Sequence, residues 1–244
     1  MNHRRNAAGT GITSSACCLA FWLLSSCAQA SAQTVRDEEI AECRSGELIV
    51  WNDGTDRAIA DSALVVSYRH DNAPLWFNRS EVEQSIANAA RAWNACGIPI
   101  SIVPAPPQQD GKTSPGTFRV QWSEAGSRGN FGLTNLSDRT LSLGPSAFTM
   151  LHARNPAHDA RQTLQMVLSH EMGHFLGLMA HSRRCVDVLS YYQDTKGTKC
   201  QTRDGKGIDS VQEYRSILPT ACDIQRCRIV NGRQHQTVRQ GTAQ

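Results

Sequence analysis

Beyond its N-terminal stretch this 244-residue chain has no apolar run long enough to cross a bilayer, which leaves no candidate membrane span in the remainder. It has no acidic residue before position 31. Only two of its 25 basic residues lie there, so the rest carries 23 basic against 22 acidic side chains. That near-neutral balance argues against nucleic acid as a main partner. The chain has no internal repeat and no low-complexity domain, which excludes solenoids and arrays. It has no EF-hand loop, which needs acidic or amide residues at alternate positions and a terminal Glu. Asp194, Asp204 and Asp209 stand near glycines, so Ca2+ is an ion without a motif to support it. The length suits one well-buried domain rather than two.

What is present begins with Arg4 and Arg5, a mostly apolar stretch from Ala16 to Leu24 and small residues from Ser25 to Ala32. This pattern is that of a secretory signal peptide over residues 1–30. Two processing readings compete. Ala28-Gln29-Ala30 fits a small-x-small cleavage site, and Leu24-Ser25-Ser26-Cys27 resembles a lipobox that would leave Cys27 lipidated. Either way the expected location is secreted, periplasmic or on the cell envelope. Residues 31–46 read as a leader or a short N-terminal segment. Six cysteines follow the signal region: Cys43, Cys96, Cys185, Cys200, Cys222 and Cys227. An even number in an exported chain implies disulfides. Spacing alone suggests Cys222 with Cys227 and Cys185 with Cys200, leaving Cys43 with Cys96.

Chemistry concentrates in one stretch. His170-Glu171-Met172-Gly173-His174-Phe175-Leu176-Gly177-Leu178-Met179-Ala180-His181 reads H-E-x-x-H-x-x-G-x-x-H without a gap. His170 and His174 are four residues apart, so a helix stacks them on one face where they can grip one ion. Glu171 stands next to the first ligand, placed to reach a water at the metal rather than the metal itself. Gly177 can adopt a positive φ, end the helix and turn the chain so that His181 returns as the third ligand. Three protein ligands leave a fourth position open, which marks a catalytic site. The bland alternative is a pair of ordinary histidines on a half-buried helix.

This segment resembles the zinc-binding helix of the metzincin metallopeptidases, in their matrixin-like branch. The resemblance implies one catalytic Zn2+ held by His170, His174 and His181, with Glu171 as general base in peptide-bond hydrolysis. It also implies a turn with a methionine beneath the metal, followed two residues later by a tyrosine. The matching stretch here is Val188-Leu189-Ser190-Tyr191-Tyr192, where Leu189 stands in the methionine's place. Leucine is apolar and of similar volume, so packing there should survive. Tyr191 then matches the family's tyrosine, a fifth ligand or oxyanion stabiliser; as a plain core aromatic it would read the same. Ligation needs neutral imidazoles, so activity is expected to fall in acid. The implied fold is α/β in the loose sense (α+β): a twisted, mainly parallel sheet with an antiparallel edge strand, two long helices and a disulfide-bonded lower part. In such folds the edge strand pairs with an extended substrate. The candidate here is Phe131 to Asn135, with Gly132, Leu133 and Thr134 as substrate-binding residues. The expected partner is a protein or peptide, and the expected state a monomer. A different reading is a catalytically silent zinc-binding surface protein that presents its cleft to a partner. A third is a small-ester or cell-wall-peptide hydrolase. The gluzincin branch, with a Glu as third ligand, is disfavoured by Gly177 and His181.

The rest of the catalytic domain, residues 47–220, reads as alternating elements. Strands are expected over 47–51, 63–68, 98–103, 117–122 and 140–144. A helix is expected over 78–96 with a Ser80/Glu83 capping box, and the motif helix over 161–176. A last helix should start at Asp209 and close at Pro219. Residues 221–244 read as a disulfide-bonded end and a mobile tail. His152, His158 and Asp159 form no second ligand set by spacing, and His70 and His235 stand apart.

Overall fold

A computed structural model describes residues 35–104, 115–205, 207–208 and 213–232. Five strands form one mixed sheet: β1 (Leu64–Arg69), β2 (Ile100–Pro104), β3 (Thr117–Trp122), β4 (Gly132–Asn135) and β5 (Thr140–Leu143), in the order β2-β1-β3-β5-β4. The pairs β1–β2, β1–β3 and β3–β5 are parallel, and β4 runs antiparallel to β5 at one edge. The strand chemistry follows position. β3 alternates, sending Phe118, Val120 and Trp122 into the core, whereas all four residues of β5 are buried.

Helices α1 (Arg79–Trp93), α2 (Glu124–Ser127), α3 (Pro145–Arg154), α4 (Ala160–Phe175) and α5 (Ala221–Val230) accompany the sheet. The two long ones, α1 and α4, pack on each other. α1 buries Val82, Ile86, Ala89, Ala90 and Trp93, one face at helical spacing. Its cap differs from expectation. Asn78 is the N-cap and Glu81 closes the capping box, two residues before Ser80 and Glu83, because the Asn78 side chain already accepts the Glu81 N–H. The indole N–H of Trp93 donates to the Ser169 carbonyl at 2.8 Å, and Phe118 stacks on Phe175 with centroids 4.1 Å apart. Each such side chain, fully buried, contributes about 1.5–3 kcal/mol.

Regular structure thins out beyond α4. Residues 47–51 form no strand; Val50 makes only a single bridge, to Ser182. No helix spans Tyr214 to Leu218, and Asp209 lies outside the described residues. The final helix is instead α5, started by Thr220 with Asp223 in a capping box, so Pro219 precedes a helix rather than closing one. α3, with Pro145 at its first turn, is an element the apolar pattern did not announce. No helix among the described residues is long and apolar enough to cross a membrane.

Three disulfides tie this half together: Cys43–Cys222, Cys96–Cys227 and Cys185–Cys200. The last is the pair expected from spacing; the other two correct it. Cys222 and Cys227 share α5, where positions five apart point about 140° from each other, so they cannot meet. Cys43 is thereby bonded across the fold to α5. Glu39 and Cys43, in the stretch read as a leader, are joined to the body. Glu39 accepts from Arg203 N–H at 2.6 Å and from the Tyr214 hydroxyl at 2.8 Å.

Candidate metal centre

The motif lies at the end of α4 and in the loop after it. Asp159 caps the start of α4, and the helix runs through Phe175. Leu178 N–H then returns to the Gly173 carbonyl at 3.2 Å. Gly177 has φ +90°, and a Cβ there would fall 2.0 Å from the Arg57 carbonyl oxygen, so only glycine makes this turn. The turn carries His181 back to the helix. The Nε2 atoms of His170 and His181 lie 3.2 Å apart, and ligand atoms from His170, His174 and His181 all lie within 4.8 Å of one another. Nitrogens about 2.0–2.1 Å from one tetrahedral ion would be roughly 3.4 Å apart, so this spacing fits a single small cation.

The opposite nitrogen of each ring is already engaged. His170 Nδ1 meets the Val188 carbonyl at 2.8 Å, His174 Nδ1 the Leu178 carbonyl at 2.7 Å, and His181 Nδ1 the Asp53 carboxylate at 2.7 Å. Acceptors of this kind require a proton on Nδ1, which leaves each Nε2 lone pair free for a metal. Burial is the main cause that holds His170 well below the usual imidazole range, and the neighbouring His174 and His181 add to it. Burial likewise lowers His181, against the pull of Asp53. Neutral rings of this sort suit ligation.

Glu171 is buried on the same helix, and burial pushes its carboxyl above the usual range while His174 and Thr134 pull the other way. β4 lies alongside. The Thr134 hydroxyl donates to the Glu171 carbonyl at 3.0 Å, and a Cβ on Gly132 would come within 3.0 Å of Glu171 Cγ. Gly132, Leu133 and Thr134 thus form an edge strand beside Glu171, paired on one side by β5. Leu189 is fully buried with its methyl groups facing Gly173, beneath the ligand helix.

Tyr191 stands next to the cluster, its ring centroid 4.7 Å from that of His181, and stacks on Trp51. Its hydroxyl donates to Asp53 Oδ2 at 2.5 Å. Burial and the Asp53 charge raise its phenol above the ordinary value. The sequence reading missed Asp53. Burial opposes its charge, but hydrogen bonds from Tyr191 and His181 outweigh this and keep its carboxyl below the usual value. A lone aspartate far from the motif carries no spacing signal that would have found it.

Other histidines lie elsewhere. His152 stacks on Trp76, His158 bonds Thr163, and His70 bonds Tyr68. Asp194 is engaged by the backbone N–H groups of Lys196 and Thr198; His235 lies outside the described residues.

No protein-family model and no curated protein matches the chain. Among solved structures, a chain from the GM1-bound form of the ECX AB5 holotoxin is similar over 78% of this chain and 92% of that one, at 13% identity and a TM-score of 0.42.

Proposed function

We propose that this chain is an exported zinc-dependent endopeptidase of the metzincin kind, with His170, His174 and His181 as ligands. One observation carries the reading: three imidazoles, each with its Nδ1 bonded to an acceptor, converge their Nε2 atoms beside a buried glutamate. The donor set of three neutral nitrogens suits Zn2+ and leaves a position for water or substrate. Zinc bound there supplies a water of lowered pKa and polarises a carbonyl. Glu171 would take the proton from a water held there and return it to the leaving amine, and burial, which raises its carboxyl, favours its holding that proton. The free edge of β4 supports an extended peptide by strand addition, with Gly132, Leu133 and Thr134 facing it. Tyr191 is within reach of the site and can turn its hydroxyl to a developing oxyanion. The three disulfides support an oxidising, extracytoplasmic location.

The test is cleavage of casein and of a mixed peptide library by the purified protein, repeated with a chelator and with Glu171→Ala. Cleavage should vanish with the chelator, return with Zn2+, and fall by about 10²–10⁴ in the variant. A folded, zinc-loaded wild type that cleaves nothing would overturn the reading in favour of a silent zinc-binding protein.

A further inference from the structure

The three candidate ligands are not held alike. His170 and His174 sit on α4, and their Nδ1 atoms meet neutral backbone carbonyls, those of Val188 and Leu178. His181 has no helix to fix it. It sits on a loop, and its orientation is set by a side chain 128 positions earlier in the sequence. Asp53 grips it twice: Oδ1 accepts the His181 backbone N–H at 3.1 Å, and Oδ2 accepts Nδ1–H at 2.7 Å. The same Oδ2 accepts the Tyr191 hydroxyl at 2.5 Å. One carboxylate oxygen therefore serves both the third imidazole and the neighbouring phenol.

The backbone around Asp53 is built to hold it there. Trp51 N–H donates to the His181 carbonyl at 2.8 Å, and Arg57 N–H to the Gly177 carbonyl at 3.0 Å. Asp56 Oδ1 accepts the N–H groups of Met179 and Ala180 at 2.8 and 3.0 Å, and Arg226 in turn holds Asp56 at 2.6 Å. Residues 51–57 thus run along residues 177–181, tied to them through Trp51, Asp53, Asp56 and Arg57. A carboxylate acceptor does more than a carbonyl: it fixes the tautomer and raises the basicity of the ring that faces a metal.

From this geometry we infer that Asp53 is a positioning residue that orients His181 for metal and parks the Tyr191 hydroxyl on the same oxygen. It rests on the zinc reading above only for the identity of the ion.

The experiment compares wild type with Asp53→Asn, Asp53→Ala and Tyr191→Phe in two readouts. The first is Zn2+ affinity by competition with a chromophoric chelator. The second is the imidazole 15N spectrum of the metal-free protein, which reports which nitrogen of His181 carries the proton. Asp53→Ala should weaken Zn2+ by about 10–100-fold and release His181 from the Nδ1–H tautomer. Asp53→Asn should recover most of both, because an amide oxygen still accepts Nδ1–H. Tyr191→Phe should leave both near wild type, since it removes only the phenol. Wild-type affinity together with a wild-type His181 tautomer in Asp53→Ala would overturn the inference. If that variant does not fold, Asp53→Asn decides through the tautomer, which must stay Nδ1–H. A wild type that binds no Zn2+ would sink the zinc reading alone, and the His181 tautomer would still decide the role of Asp53.

Discussion

The sheet with its two long helices and the irregular half around residues 177–220 are stabilised by different physics. The first buries apolar faces: Phe118, Val120 and Trp122 from β3, Ile86 and Trp93 from α1, Leu164, Leu168 and Met172 from α4. Its interior is held by area removed from water, which needs no partner by name. The second buries Arg184, Asp187, Thr220, Asp223 and Arg226, side chains that stay inside only when paired. Arg184 donates to Asp187 at 3.0 Å, and the Thr220 hydroxyl bridges Asp187 and Asp223 at 2.6 and 3.1 Å. Asp223 accepts the N–H of Val188 at 2.9 Å, the same residue whose carbonyl engages His170. The candidate metal centre lies on the seam, taking two ligands from the apolar half and one from the polar half. A site of this kind inherits rigidity from one side and specific bonds from the other.

The strongest challenge to that contrast is removal of the cross-links. Cys43–Cys222 and Cys96–Cys227 join residues 179 and 131 positions apart, and chain entropy assigns such bridges about 4–5 kcal/mol each. Replacing all four cysteines with serine should collapse near-UV circular dichroism at lower denaturant than wild type. An unchanged midpoint would mean that the polar half does not depend on its bridges.

Single truncations sharpen the comparison through pH. Phe118→Ala should cost about 3–5 kcal/mol, equally in mild acid and mild base. Arg184→Ala also removes its bonds to the Glu39 carbonyl and Glu47, but its cost should rise to about 3–5 kcal/mol where Asp187 is ionised, since it strands a buried charge. Burial and then Asp223 raise the Asp187 carboxyl from 3.8 to about 7. Because the folded value exceeds the unfolded one, its contribution to stability is fully present below 3.8 and is lost as pH rises through about 7. Urea midpoints for the two variants measured on both sides of that window should therefore diverge only for Arg184→Ala; parallel curves would erase the distinction.

A smaller effect isolates the carboxyl itself. Asp187→Asn should remove a slope approaching 1.4 kcal/mol per pH unit across that window, read from thermal unfolding at a series of pH values. Retention of the wild-type slope would assign it to another group. Least of all, Arg79→Ala breaks an exposed pair with Glu83 at 3.5 Å and should change stability by only about 0.3–0.5 kcal/mol; a larger loss would give surface charge a weight that neither half shows.

How much was legible follows the same division. β3 occupies the residues its alternation predicts, 117–122, and α4 begins and ends within one residue of expectation. Both are read from periodicity, which is a local property. The α5 helix was misplaced because an Asp and apolar residues at 209–218 imitate a helix start, whereas the working cap is Thr220 with Asp223. Two of the three bridges were misassigned for a related reason. Sequence distance favours near cysteines, but Cys222 and Cys227 sit on different sides of α5, and each finds a partner brought by the fold.

The sequence by itself determined the ligand spacing, the helix that presents His170 and His174, and the glycine turn that returns His181. These depend on dihedral preferences and on 3.6 residues per turn, which act over a few neighbours. The tertiary structure alone decided that Asp53 would meet both His181 and Tyr191, that β4 would lie beside Glu171, and which cysteines would pair. Those are contacts between segments tens to more than a hundred positions apart. Their geometry is set by how the sheet, the helices and the cross-links close on one another, which no local pattern records.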